Sequence, residues 1–120
     1  MATRELEVTV RQREGAAVLD LVGDVDASAE ESLQRGYDEA AANGGPVVLN
    51  FADTDYINST GIALIVGLLA QARARDIEIT ACGLSEHYRE IFEITRLADF
   101  MRIADNEERA VAGAERGTHA

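Results

Sequence analysis

Hydrophobic and polar positions alternate from the start of the chain. Leu6, Val8 and Val10 fall on one face of an extended segment and Glu7, Thr9 and Arg11 on the other, the period of a half-buried strand. Arg13-Glu14-Gly15 supplies a turn and Ala17-Val18-Leu19-Asp20-Leu21-Val22 a second strand, and so short a connection predicts a hairpin. Gly23-Asp24-Val25-Asp26-Ala27 then leads into a helix, with Ser28 as its expected N-cap, Glu30 and Glu31 in its first turn, and Leu33, Tyr37 and Ala40 or Ala41 along its apolar stripe. Asn43-Gly44-Gly45-Pro46 stops it. Val47-Val48-Leu49-Asn50-Phe51 has the short, β-branched composition of a central parallel strand, and Ala52-Asp53-Thr54-Asp55 reads as a polar turn.

From Tyr56 to Gly61 the chain passes into a second helix that ends near Arg75. Ile77 to Cys82 is a further strand, Ser85 caps a third helix carrying Tyr88, Ile91 and Phe92, and Phe100 to Ile103 is a short edge strand. Asn106 caps a last helix whose end is expected to fray. Strands alternating with helices after an initial hairpin predict an α/β fold, with a mostly parallel sheet of about four to five strands and about four helices. Residues 1–112 are expected to form one domain and residues 113–120 a frayed tail.

Composition narrows the function. The 120 residues suit one domain, and a 47% hydrophobic content suits an ordinary aliphatic core, since there are three Phe, three Tyr and no Trp. Acidic residues outnumber basic ones by 22 to 11, a net charge of −11 that repels nucleic acid and anionic lipid. There is no apolar run of membrane-spanning length and no signal-peptide pattern, so the expectation is a cytoplasmic protein without membrane insertion.

Candidate chemistry is sparse. The single cysteine, Cys82, reads as a buried thiol, with a redox or nucleophilic role as the alternative. Asp24, Asp26, Asp53 and Asp55 can meet at a sheet edge, but turn and capping duty explains them better than a cation site. His87 and His119 lack the spacing of zinc ligands, and the glycines do not form a phosphate loop. Ser59 has no neighbouring His or Lys in the sequence to act as its base, so no catalytic residue, metal or cofactor is expected.

Residues 58–72 are the most informative. Asn58-Ser59-Thr60-Gly61 places three capping groups and a glycine at a strand-to-helix turn, where unpaired backbone N–H groups accept either a capping hydroxyl or a phosphate. By local chemistry alone, Ser59 or Thr60 as a plain N-cap is the commoner reading. The helix that follows adds to this. Ile62 to Ala70 has no polar side chain, so the run covers every face of a helix. It is either buried on all sides or leaves an apolar patch beside Ser59.

These residues resemble a known family. Val47 to Phe51, the Tyr56-Ile57-Asn58-Ser59-Thr60-Gly61-Ile62 turn and the apolar helix are similar to the signature of STAS domains, above all the small anti-sigma factor antagonists, which typically read Asp-Ser-Ser/Thr-Gly-Leu/Ile at the turn. Gly23-Asp24-Val25-Asp26 and Ile91-Phe92-Glu93-Ile94-Thr95-Arg96-Leu97 resemble two further family elements, in the right order and spacing over roughly residues 5–105. Asn58 stands where the family usually has Asp.

The resemblance implies a STAS fold and a non-enzymatic switch. Its partner would be an anti-sigma factor that is also a serine kinase of the histidine-kinase-like ATPase class. The unphosphorylated antagonist binds that partner and frees a sigma factor. Phosphorylation, by position at Ser59 with Thr60 as fallback, ends the binding, and a phosphatase resets it. Asp24, Asp26, Asn58, Ser59, Thr60, Gly61, Ile62 and Leu64 are the implied partner-binding residues. Two other roles fit the same family: a scaffold subunit of a signalling complex, and an accessory subunit regulating a lipid-transport ATPase.

Overall fold

A computed structural model describes residues 4–117. Strands β1 (Glu7–Arg13) and β2 (Ala16–Val25) form the expected antiparallel hairpin, with Val10 opposite Leu19. The other edge of β2 is shared between two parallel neighbours. Ala17 to Asp20 pair with β3 (Val47–Asn50), and Gly23 to Val25 pair with β4 (Thr54–Ile57). Beyond β3, β5 (Ile79–Cys82) and β6 (Arg102–Ala104) continue the sheet in parallel, in the order β1-β2-β3-β5-β6. The register slips where β2 changes partner, at Gly23. There φ is +115° and a Cβ would meet the Glu5 carbonyl at 2.8 Å, so the position requires glycine.

Two local expectations need correction. The polar turn predicted over 52–55 is shorter, because β4 begins at Thr54 and gives the sheet a sixth strand. Only Ile57 in β4 is a buried apolar residue, and Thr54 is held by its hydroxyl donating to the Leu21 carbonyl at 2.9 Å, so no hydrophobic alternation announces the strand. Ser28 is also not the cap. Asp26 is, its carboxylate accepting from the Ser28 N–H at 3.0 Å and from the Ser28 hydroxyl at 2.6 Å ahead of a short 3-10 turn, Ala27–Ala29. The Asp26 carboxylate accepts both donors of Ser28, its N–H and its hydroxyl, so Ser28 lies inside the 3-10 turn rather than ahead of it.

Helices α1 (Glu30–Ala40), α2 (Ser59–Ala74) and α3 (Glu86–Ile94) cover one face of the sheet. Alternate strand residues Leu19, Leu21, Val47, Leu49 and Ile79 meet Leu33, Tyr37, Ile65 and Phe92 in the main core. Each such fully buried aliphatic or aromatic side chain contributes about 1.5–3 kcal/mol. Phe51 and Phe92 meet edge to face at 5.8 Å, fixing α3 against the end of β3. Gln34 and Gln71 exchange side-chain hydrogen bonds at 2.8 and 2.9 Å, tying α1 to α2.

The opposite face carries α4 (Glu107–Gly117). Residues 118–120, including His119, lie outside the described residues. Beneath α4 is a second, small cluster of Ala16, Val18, Val48, Cys82, Ala110 and Val111. Beside it runs a polar layer. Arg11 donates to both oxygens of Asp20 at 2.5 and 2.9 Å and to both oxygens of Glu107 at 2.7 and 3.2 Å. Arg13 also binds Glu107. The hydrogen bonds from Arg11 are the main reason that the Asp20 and Glu107 carboxyls sit below their ordinary range.

A carboxyl depressed in the folded state stabilises above its unfolded pKa, and that contribution is lost as pH falls through the folded value. Glu107→Gln is therefore expected to cost on the order of 1 kcal/mol at pH 7. The difference from the unaltered chain should shrink below about pH 4. Urea unfolding of both chains at pH 7 and at pH 3 measures it, and a gap that stays the same at both would rule out an electrostatic clamp.

Candidate functional site at the junction of β4 and α2

The end of β2 and the start of α2 meet at one carbonyl. Val25 pairs with Ile57 as the last rung between β2 and β4, and the Val25 carbonyl accepts the N–H of Asn58 at 3.2 Å. Asn58 is extended, with φ −95° and ψ −178°, and its side-chain oxygen accepts the N–H of Gly61 at 2.8 Å. The helix thus begins at Ser59 with Asn58 as its cap. Gly61 presses on the strand end: a Cβ there would lie 2.0 Å from the Val25 carbonyl oxygen. No larger residue permits this approach of helix to strand. From α3, the Tyr88 hydroxyl accepts the Ile57 N–H at 3.0 Å, so a third element holds the junction.

This arrangement settles which residue caps. The reading of Ser59 or Thr60 as the N-cap is incorrect, because Asn58 performs that role. Ser59 and Thr60 are both exposed in the first turn of α2. The Ser59 hydroxyl takes no part in the cap and stands where helix N–H groups favour an anion. Asp26 follows Val25 directly and is extended, so the pairing of Val25 with Ile57 puts Asp26 and Asn58 side by side at two strand ends. Asp26, Asn58, Ser59 and Thr60 are therefore brought to one corner of the molecule.

Other expected residues lie elsewhere. Asp24 is 7% exposed and its carboxylate accepts the Arg4 N–H at 3.0 Å, a structural tie of the incoming chain to β2. The Arg4 guanidinium in turn meets Asp55 at 3.1 Å. Gly61 is buried. Ile62 and Leu64 are half-buried against the main core on two flanks of α2, Leu64 on the side of α1 with Glu30 and Leu33.

The outward face of α2 belongs instead to Ser59, Ala63, Val66 and Ala70, all exposed and spaced as one straight stripe along a helix. The long apolar run is thus half core and half surface, and Ser59 heads the surface half. The sequence signal for this was present in the period: Ile65, Leu68, Leu69 and Ala72 make the buried stripe, and the residues opposite follow from the 3.6-residue turn.

Little else suggests chemistry. Cys82 is fully buried on the α4 face, 3.7 Å from the Asn50 side-chain oxygen, and burial pushes its thiol up to about 11. A protonated, enclosed thiol is a packing group. His87 is exposed and packs edge-on to Tyr88. Among the described residues no group of three or more His, Cys, Asp or Glu is placed to hold a metal ion, and no helix is long and apolar enough to cross a membrane.

Comparison with known proteins points one way. The STAS domain family model matches residues 7–110. The chain is 29% identical to the "Putative anti-sigma factor antagonist BtrV" of Bordetella bronchiseptica, covering 89% of this chain and 93% of that one. It is 25% identical to the anti-sigma-B factor antagonist of Listeria monocytogenes, covering 85% and 91%. Its fold is similar to that of the anti-sigma factor antagonist SpoIIAA in the unphosphorylated form, at a TM-score of 0.69, 19% identity and coverage of 92% and 99%. The Bacillus SpoIIAA in the phosphorylated form is similar at a TM-score of 0.67, 22% identity and coverage of 88% and 97%.

Two substitutions test the junction. Gly61→Ala is expected to push the helix start off the strand end and to destabilise the fold by about 1–3 kcal/mol. Asn58→Ala, which removes only the cap, should cost about 1 kcal/mol. Denaturant unfolding reads both, and an unchanged midpoint for Gly61→Ala would mean that the contact is not a constraint.

Proposed function

Because the chain belongs to the STAS domain family, we propose that it is an anti-sigma factor antagonist switched by phosphorylation of Ser59. The observation that carries this reading is the position of Ser59: first residue of α2, exposed, relieved of capping by Asn58, and at the head of the apolar stripe of Ala63, Val66 and Ala70. In this reading the unphosphorylated chain docks that corner on an anti-sigma factor that is also a serine kinase, and the kinase supplies ATP and Mg²⁺. The chain is its substrate, and a phosphatase restores the docking form. The names of the Bordetella and Listeria relatives support the antagonist role, and the existence of SpoIIAA in two phosphorylation forms supports the switch.

The physics of the switch is local. A phosphoserine adds about −1.5 to −2 charge at pH 7. The first turn of α2 tolerates that charge, but a docking surface that excludes water does not. Asp26, at the neighbouring strand end, adds like-charge repulsion. Asn58 in place of the family's Asp keeps the cap and removes one further negative charge from the corner. Thr60, also exposed, is the fallback acceptor.

Incubation with the cognate kinase and ATP is expected to add one phosphate, located at Ser59 by fragmentation mass spectrometry and lost in Ser59→Ala. Phosphate at another residue, or none while the kinase modifies a second substrate, would overturn the assignment. Ser59→Asp should weaken binding to that kinase at least tenfold, about 1.4 kcal/mol or more by calorimetry.

A further inference from the structure

Further along α2 from Ser59, a groove runs between α2 and the turn that follows α3, sharing Val66 and Ala70 with the stripe that Ser59 heads. Its floor is Leu69 and Leu97 and its rims are Val66, Ala70 and Phe100. Val66 and Phe100 are 46% and 57% exposed, and Ile94, one residue before the groove's Thr95, is 71% exposed. Tyr56 aside, these are the large exposed apolar side chains of the described residues, gathered at one place.

Charge distinguishes the groove further. The charged side chains lining it are Arg73 and Arg96, and no carboxylate does. Arg96 is occupied by Asp99 at 2.8 Å, whereas Arg73 lies over the Phe100 ring at 5.6 Å and has no ion pair among the described residues. Asp76, Glu78 and Asp99 line a separate groove, across the ridge made by Arg73 and Phe100. On a chain with 22 acidic and 11 basic residues, this leaves Arg73 as the one charge of the groove without an ion pair among the described residues.

We propose that this groove docks a short amphipathic helix of a partner protein, which sets a large apolar side chain among Val66, Leu69 and Phe100 and a carboxylate on Arg73. The walls are helical segments presenting side chains and no strand edge, the geometry of helix-in-groove recognition. Val66 to Arg73 spans about 10 Å, two turns, matching anchors at i, i+3 or i+4, and i+7. A second copy of the chain is disfavoured because each carries a net −11. An anionic bilayer meets the same repulsion, and two arginines return only about 1 kcal/mol each. Ser59 lies about 10 Å from Val66 and about 21 Å from Arg73 along the helix. That puts the Arg73 end beyond the screening length of about 8 Å, so a carboxylate set on Arg73 is not repelled by a charge at Ser59.

A designed helical peptide of about fifteen residues, with Leu at i, i+4 and i+7 and Glu at the flanks, is the probe, with a Lys-for-Glu analogue as control. Fluorescence anisotropy with the full chain is expected to show the Glu peptide binding at least about tenfold tighter than the Lys analogue. Phe100→Ala should weaken it about tenfold or more, Arg73→Glu should reverse the preference, and Ser59→Asp should change it less than about twofold. Phe100 and Arg73 are exposed, so unchanged melting curves are expected for both variants. No binding at about 1 mM, equal binding of both peptides, or loss of binding in Ser59→Asp overturns the proposal. So does dimerisation in sedimentation that Phe100→Ala abolishes, or binding to phosphatidylglycerol vesicles that it abolishes.

Discussion

The carbonyl of Val25 is the point on which the junction depends. It ends the pairing of β2 with β4, accepts the Asn58 N–H and forms the wall against which Gly61 closes. A helix that starts this close to a strand end has little freedom of direction. The side chains of its first turn are therefore placed by backbone contacts rather than by side-chain packing. That is why an exposed residue such as Ser59 can have a defined position. The Tyr88 hydroxyl on the Ile57 N–H adds α3 to the same frame, so two strands and two helices meet within a few residues.

Much of this was legible in the chain. The hairpin, the four helices and the parallel core strands follow from period-2 and period-3.6 patterns that agree with their flanking turns. The strand β4 was not legible, because Thr54, Asp55 and Tyr56 are half-buried or exposed and its pairing is made by backbone groups that any sequence supplies. The caps were misread for a related reason. Asn58-Ser59-Thr60 and Asp26-Ala27-Ser28 each contain more than one competent cap, and composition does not choose among them. Tertiary pairing chooses, by ending the strands at Val25 and Ile57 and so placing Asp26 and Asn58 in extended backbone at the cap positions. Ile62 and Leu64, implied as partner-binding by the family resemblance, are half-buried on the flanks of α2, while helix rotation brings Ala63 and Val66 outward.

The two faces of the sheet are held by different physics. The face with α1, α2 and α3 is a continuous aliphatic core, and non-directional burial suffices to hold it. The face with α4 has only a small cluster, and there Arg11 and Arg13 contribute directional, charge-assisted bonds to Asp20 and Glu107. Each arginine spans neighbours that lysine, a point charge, could not hold in the same two-pronged way. The hold on α4 thus includes charge-assisted bonds that acid and salt weaken, while that on α2 rests on packing.

The assignment of the cap to Asn58 has a consequence for how the molecule can be observed. Had Ser59 been the cap, modifying its hydroxyl would have removed a hydrogen bond that the fold relies on. Each change of state would then have registered as a change in melting temperature. With the cap on the neighbouring residue, the proposed acceptor and the side chain that caps the helix are separate. A charge at Ser59 even gains a few tenths to about 1 kcal/mol from the helix end. On the proposed reading, modification of Ser59 therefore leaves the capping hydrogen bond in place and reaches the folding equilibrium only through this helix-end charge effect. A thermal-shift screen would then read at most a shift of a few degrees upward rather than a loss of stability, and an assay of what the surface touches reports the state directly.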